Sequence, residues 1–158
     1  MPKSASILAL VSGDRRILDA HLAAVRSTMA QLVEKQFAEA RNYERSRNGE
    51  PERTGNLVYT AGQVTLNNGK LEYQGKVGKD FTVEEAAKAA RLCAINIVAQ
   101  LKDACGGNLD KVKRIVKLVG FVNGTPEFTD HPKVVNGASD LMVEIFGDKG
   151  KHARSAVG

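Results

Sequence analysis

Arg154 is the residue best suited to chemistry, set in Ala153-Arg154-Ser155 near the end of a 158-residue chain. A guanidinium offers a planar, two-pronged donor that fixes the orientation of a carboxylate. Taken alone, an arginine in a strand reads first as the partner of a structural ion pair, and carboxylate binding is the sharper alternative. His152 precedes it by two residues, so on a regular strand the two side chains share a face. An imidazole there is a candidate base. The other ligating residues are scattered. Cys93 and Cys105 are twelve residues apart, about 18 Å if one helix carries both, which excludes a disulfide and favours buried thiols. With His21, His131 and His152 far apart, no zinc-binding spacing forms and no metal is expected.

The charge is mildly basic, +5 with a pI of about 9.3, and it is spread along the chain. The one cluster, Lys111, Lys113, Arg114 and Lys117, reads as a solvated edge, and nucleic acid is not the expected partner. No apolar stretch approaches the ~18 residues of a membrane span. The run Ile7–Val11 is too broken by Asp14, Arg15 and Arg16 for a signal peptide, so a cytoplasmic protein is expected.

The elements that must position Arg154 follow from periodicity. Leu18, Leu22, Val25, Met29 and Leu32 are spaced as one face of a helix, which Asp14 or Asp19 would cap and which runs to about Arg45. The expectation is that it packs on its own domain, with pairing against another subunit or a poorly ordered appendage as the alternatives. The polar stretch Asn48–Thr54 reads as a linker. The expected organisation is a helical extension over 1–47, a linker over 48–54 and an α+β domain over 55–158.

In that domain Leu57–Ala61 predicts a short strand, Asn67-Asn68-Gly69 a turn and Leu71–Tyr73 a return strand. Thr82 and Glu85 form a capping box. The helix behind it would bury Ala87, Ala90, Ala94, Ile97, Val98 and Leu101 and stop at Gly106-Gly107. Ile115–Val122 is apolar at both parities, which predicts a strand covered on two faces, one by that helix and the other by a second subunit. Pro132 opens a second helix with Val134, Ala138, Leu141, Ile145 and Phe146 on one side, and Gly147 ends it. Lys151–Gly158 begins another strand. The class is α+β, with two helices on one face of a mixed sheet.

From Arg53 to Gly158 the sequence resembles the reactive intermediate deaminase (Rid) family, also called YjgF-like, with the older labels endoribonuclease L-PSP and translation inhibitor. The matching stretches are Gly55 through Gln63, Gly75 through Gly78, the helix through Ala89-Ala90-Arg91, Val116 through Val122, Val135 through Ala138, and Ala153 through Gly158. All occur in the family's order and spacing. The resemblance implies a chorismate-mutase-like fold whose sheets form a central barrel in a homotrimer, with small-molecule clefts between subunits. It implies hydrolytic deamination of reactive 2-imino and 2-enamino acids to 2-oxo acids and ammonia, without a cofactor. The partner would be a small 2-imino or 2-oxo carboxylate.

Residue by residue, the matching arginine, Arg154, would bind the substrate carboxylate. Backbone groups of Ala156 would hold the imine and the attacking water. Asn136 would line the cleft, or serve helix N-terminal hydrogen bonding. Ala61 and Gly62 would form the cleft wall, or let strands pack closely. The sequence also departs from the family. Ala156 stands where active deaminases commonly carry Cys, and Ala61 where they often carry Ser. No Tyr stands near Asn48, and Tyr43 is five residues away. The family's last strand, with its water-positioning Glu, is expected to be missing after Gly158. A trimeric binding module for small carboxylates is therefore the alternative function. RNA binding or cleavage, from the older label, is third: there is no aromatic-plus-basic platform and no His pair.

Overall fold

The computed structural model describes residues 51–158 and, before them, only Ser27 and Gln31, both helical and exposed. The expected helix from Asp14 or Asp19 to Arg45 and the apolar run Ile7–Val11 otherwise lie outside the described residues.

The described chain is α+β. Strand β1 (Glu52–Thr54) pairs antiparallel with β2 (Leu57–Tyr59), and β3 (Leu66–Asn67) with β4 (Lys70–Leu71). Helix α1 (Val83–Ala104), strand β5 (Lys117–Phe121), helix α2 (His131–Phe146) and strand β6 (Ala153–Val157) follow, with β5 and β6 parallel. Short 3-10 turns at Leu109–Lys111 and Gly147–Gly150 complete the order. The strands thus pair as three two-stranded ladders.

Local chemistry explains most boundaries. Gly55, at φ +58, with Asn56 makes the two-residue turn that lets the polar Glu52–Thr54 pair as a strand. Asn68 and Gly69, at φ 49 and 73, make the second tight turn, in the conformation that Asn-Gly favours. The return strand is shorter than its sequence predicts, because Tyr73 adopts φ 52 and leaves the extended region.

Thr82 caps α1: its hydroxyl accepts from Glu85 N–H at 3.2 Å, and its own N–H donates to Glu85 Oε2 at 2.9 Å. That bond from a backbone donor holds the Glu85 carboxyl below its usual pKa. The helix ends in a Schellman turn, with Gly106 N–H donating to Asp103 O and Gly107 N–H to Lys102 O.

The helices pack on each other and on the strands. Val98, Leu141 and Met142 are fully buried between them. Each such side chain contributes about 1.5–3 kcal/mol on removal from water. Burial on α1 spreads more widely around its axis than apolar spacing predicts. Ala86, Ile95, Asn96, Ala99 and Gln100 join Ala94 and Val98 in the interior, whereas Ala87, Ala90, Ile97 and Leu101 are half-buried. One cause is Asn96, whose amide donates to Val64 O at 3.2 Å and Leu66 O at 3.1 Å and so ties β3 to the helix. Asn96 is a buried polar residue on a face that periodicity assigns to solvent.

Strand β5 is asymmetric. Leu118 and Val122 are buried, while Val119 and Phe121 on the other parity are 51% and 83% exposed. Gly120 faces α2 so closely that a Cβ there would stand 2.5 Å from Val135 Cγ2. A second core group joins Val77, Ala86, Val122, Val134 and Val135, with Ala156 packed against it.

Candidate functional site

Arg154 lies in β6 opposite Leu118, on the parity that faces α2. Its side chain is bound by two neutral acceptors of α2. Nη1 donates to Asn136 Oδ1 at 2.7 Å and to Ser139 Oγ at 3.3 Å. Asn136 and Ser139 are three apart on the helix and therefore share its strand-facing side. Among the described residues no carboxylate pairs with Arg154, and both of its side-chain bonds leave from Nη1. Among the described residues, Nε and Nη2 of Arg154 have no acceptor. A structural ion-pair arginine would have its acid in place. Arg91 shows that pattern, joined to Glu144 at 2.7 Å between the two helices.

Ser139 continues the row. Its hydroxyl lies 3.1 Å from His152 Nε2, and His152 Nδ1 lies 2.5 Å from Gly150 O. His152 precedes β6 and shares the parity of Arg154, as strand alternation predicts. Ser139 and His152 are half-buried, and Arg154 is exposed.

The structure therefore brings Arg154 and Asn136 together and adds His152. Ala156 is two residues further on the same parity, opposite Gly120, with its methyl against the core. Ala61 and Gly62 follow β2 in a segment without regular secondary structure, where both of their carbonyls accept from Gln63 Nε2 at 3.3 Å. No hydrogen bond among the described residues joins them to Arg154. Ser139 was the residue that sequence reasoning missed. Its one available signal was the three-residue spacing from Asn136, on a helix that packs against the His152–Arg154 strand.

Among the described residues no three His, Cys, Asp or Glu side chains cluster to hold a metal ion. Cys93 and Cys105 are free thiols. Burial pushes the Cys93 thiol up to about 11, so it stays protonated and unreactive at neutral pH. No described helix is long and apolar enough to cross a membrane.

The fold and site define an α+β protein whose arginine, without a carboxylate partner among the described residues, is held between β6 and α2. The family follows from comparison. The chain belongs to the family described as "YjgF/chorismate mutase-like, putative endoribonuclease", whose model matches residues 30–157. The match starts upstream of Arg53, where the residue-level resemblance begins.

Protein TCP17 of Trypanosoma cruzi is 45% identical over 106 residues, 66% of this chain and 66% of TCP17. The chain thus spans slightly less than two thirds of that relative's length. Among solved structures, a protein of unknown function from Agrobacterium tumefaciens matches with a TM-score of 0.68 and 39% identity, over 84% of this chain and 83% of that one. A "putative endoribonuclease" from Shewanella oneidensis MR-1 matches with a TM-score of 0.66 and 44% identity, over 68% of this chain and 70% of its own.

Proposed function

We propose that this protein hydrolyses reactive 2-imino and 2-enamino acids to 2-oxo acids and ammonia, with Arg154 anchoring the substrate carboxylate. The observation that carries this reading is the exposed guanidinium of Arg154, oriented by Asn136 and Ser139 and left without a carboxylate partner among the described residues. Its free edge suits the two-pronged geometry of a carboxylate. The comparisons support membership in the YjgF-like family, and the substrate class is what the sequence resemblance implies.

The active unit in this proposal is a cytoplasmic homotrimer. Val119, Phe121 and Val157, exposed together on one face of the β5–β6 pair, supply apolar surface for such contacts. Asn136, the Ala156 backbone and the Ala61–Gly62 wall complete the site, and no cofactor takes part.

The test is an assay in which a threonine dehydratase supplies 2-iminobutyrate to the full chain. Faster release of 2-oxobutyrate than in the protein-free control supports hydrolysis. Saturable binding of 2-oxobutyrate without acceleration identifies a binding module and overturns the enzymatic reading.

A further inference from the structure

We propose that Ser139 and His152 form a proton relay that activates the water adding to the imine, an inference that rests on the hydrolytic reading above. The carbonyl oxygen of Gly150, 2.5 Å from His152 Nδ1, can only accept. The hydrogen-bond network therefore assigns the imidazole proton to Nδ1 and leaves a lone pair on Nε2. That lone pair faces Ser139 Oγ at 3.1 Å and takes its hydroxyl proton. The same oxygen accepts from Arg154 Nη1 at 3.3 Å. Each bond in the row thus has one direction: guanidinium to hydroxyl, hydroxyl to imidazole, imidazole to backbone carbonyl. A serine bonded to a base whose far nitrogen is fixed by a third group is the arrangement that removes protons from hydroxyls and water.

Placement favours chemistry over stapling. Ser139 touches the group that would hold the carboxylate, and the reacting carbon of a 2-imino acid is one bond from that carboxylate. Docking on Arg154 through bonds of about 2.8 Å brings this carbon to the guanidinium edge that Ser139 borders.

In the step, the water oxygen bonds to C2 of the protonated imine, and the C=N π pair moves onto nitrogen. The water proton passes to Ser139 Oγ as the Ser139 proton passes to His152 Nε2. A carbinolamine and an imidazolium result. The proton then returns by the same route to the amino nitrogen. The C–N bond breaks, its electron pair leaves with ammonia, and the new hydroxyl gives up its proton to that ammonia as the carbonyl forms. The sum is iminium plus water to 2-oxo acid plus ammonium. Ser139 is the catalytic member, and His152 acts through it as a positioning and proton-holding residue.

The experiment measures kcat and KM for 2-iminobutyrate in the full chain and in Ser139→Ala, Ser139→Thr, His152→Gln and the Ser139→Ala/His152→Gln double variant. The relay predicts that Ser139→Ala and His152→Gln each lower kcat by about 100-fold or more; KM stays within about twofold in His152→Gln, whereas Ser139→Ala, which also loses an acceptor of Arg154, raises KM by up to about tenfold. The double variant should be no slower than either single one, and Ser139→Thr should recover most of the rate. Turnover by the native chain together with native kcat in both single variants overturns the relay and leaves the hydrolytic reading standing. No turnover by the native chain overturns both. If the variants fail to fold, 15N NMR of the native chain decides: a protonated Nδ1 and bare Nε2 at His152 support the relay, and the opposite tautomer overturns it.

Discussion

Gly137 packs against Ala87 so closely that a Cβ on it would stand 1.9 Å from the Ala87 carbonyl oxygen. The obstructing atom belongs to a helix backbone and cannot rotate away. This contact seats α2 on α1, and α2 carries Asn136 one residue before the contact and Ser139 two residues after it. The seating of the helix pair thus sets where Arg154 finds its acceptors.

Gly137→Ala is therefore expected to destabilise the fold by about 1–3 kcal/mol, the usual cost of overpacking. Urea unfolding checks this. An unchanged midpoint would mean that the helices separate without cost.

Asn96→Ala leaves the carbonyls of Val64 and Leu66 without their side-chain donor. Losing the partners of buried polar groups costs about 1–3 kcal/mol. Hydrogen exchange should accelerate at β3 and β4 more than at β6, because Asn96 holds the former hairpin to α1. Equal acceleration at both would contradict that attachment.

Cys93 gives stability a pH dependence of definite sign. Burial raises its thiol from 9.0 in the unfolded chain to about 11 in the fold. Between those values the unfolded state holds fewer protons, so rising pH favours unfolding. The contribution is fully present below about 9 and lost as pH rises through about 11. Urea midpoints at pH about 8 and about 10.5 should fall more in the native chain than in Cys93→Ala. Equal falls would place the thiol in water.

Asn136→Ala removes an acceptor that orients the guanidinium from 2.7 Å. KM for the imino acid should rise about tenfold, with a smaller change in kcat, in line with the loss of one hydrogen bond to a charged group. Steady-state kinetics separate the two constants. A fall in kcat alone would assign Asn136 to the chemical step.

What the sequence shows best is local. Thr82, Glu85, Gly106 and Gly107 mark the ends of α1 because capping uses neighbouring residues, and Asn68-Gly69 marks its turn for the same reason. Both faces of β5 are legible as apolar, but only three-dimensional packing shows that Leu118 is buried and Gly120 meets α2 at Val135 while Val119 and Phe121 are open. Glu52–Thr54 has linker composition, yet it forms β1 through backbone bonds that composition does not report. Asn96 escapes periodicity because its amide donates to the backbone carbonyls of Val64 and Leu66 rather than to water. At the site, Arg154 and His152 are legible from strand alternation, and Asn136 from resemblance. Ser139 is not, since a serine within a helix has no chemical signature until the strand beside it is placed.

Arg154 reads the substrate carboxylate in the proposed reaction. The most direct measurement compares hydrolysis of 2-iminobutyrate with that of an imine lacking the carboxylate, in the native chain and in Arg154→Ala. The native chain should strongly prefer the imino acid, and Arg154→Ala should lose this preference while the carboxylate-free imine reacts equally with both. A preference that survives in folded Arg154→Ala would contradict it.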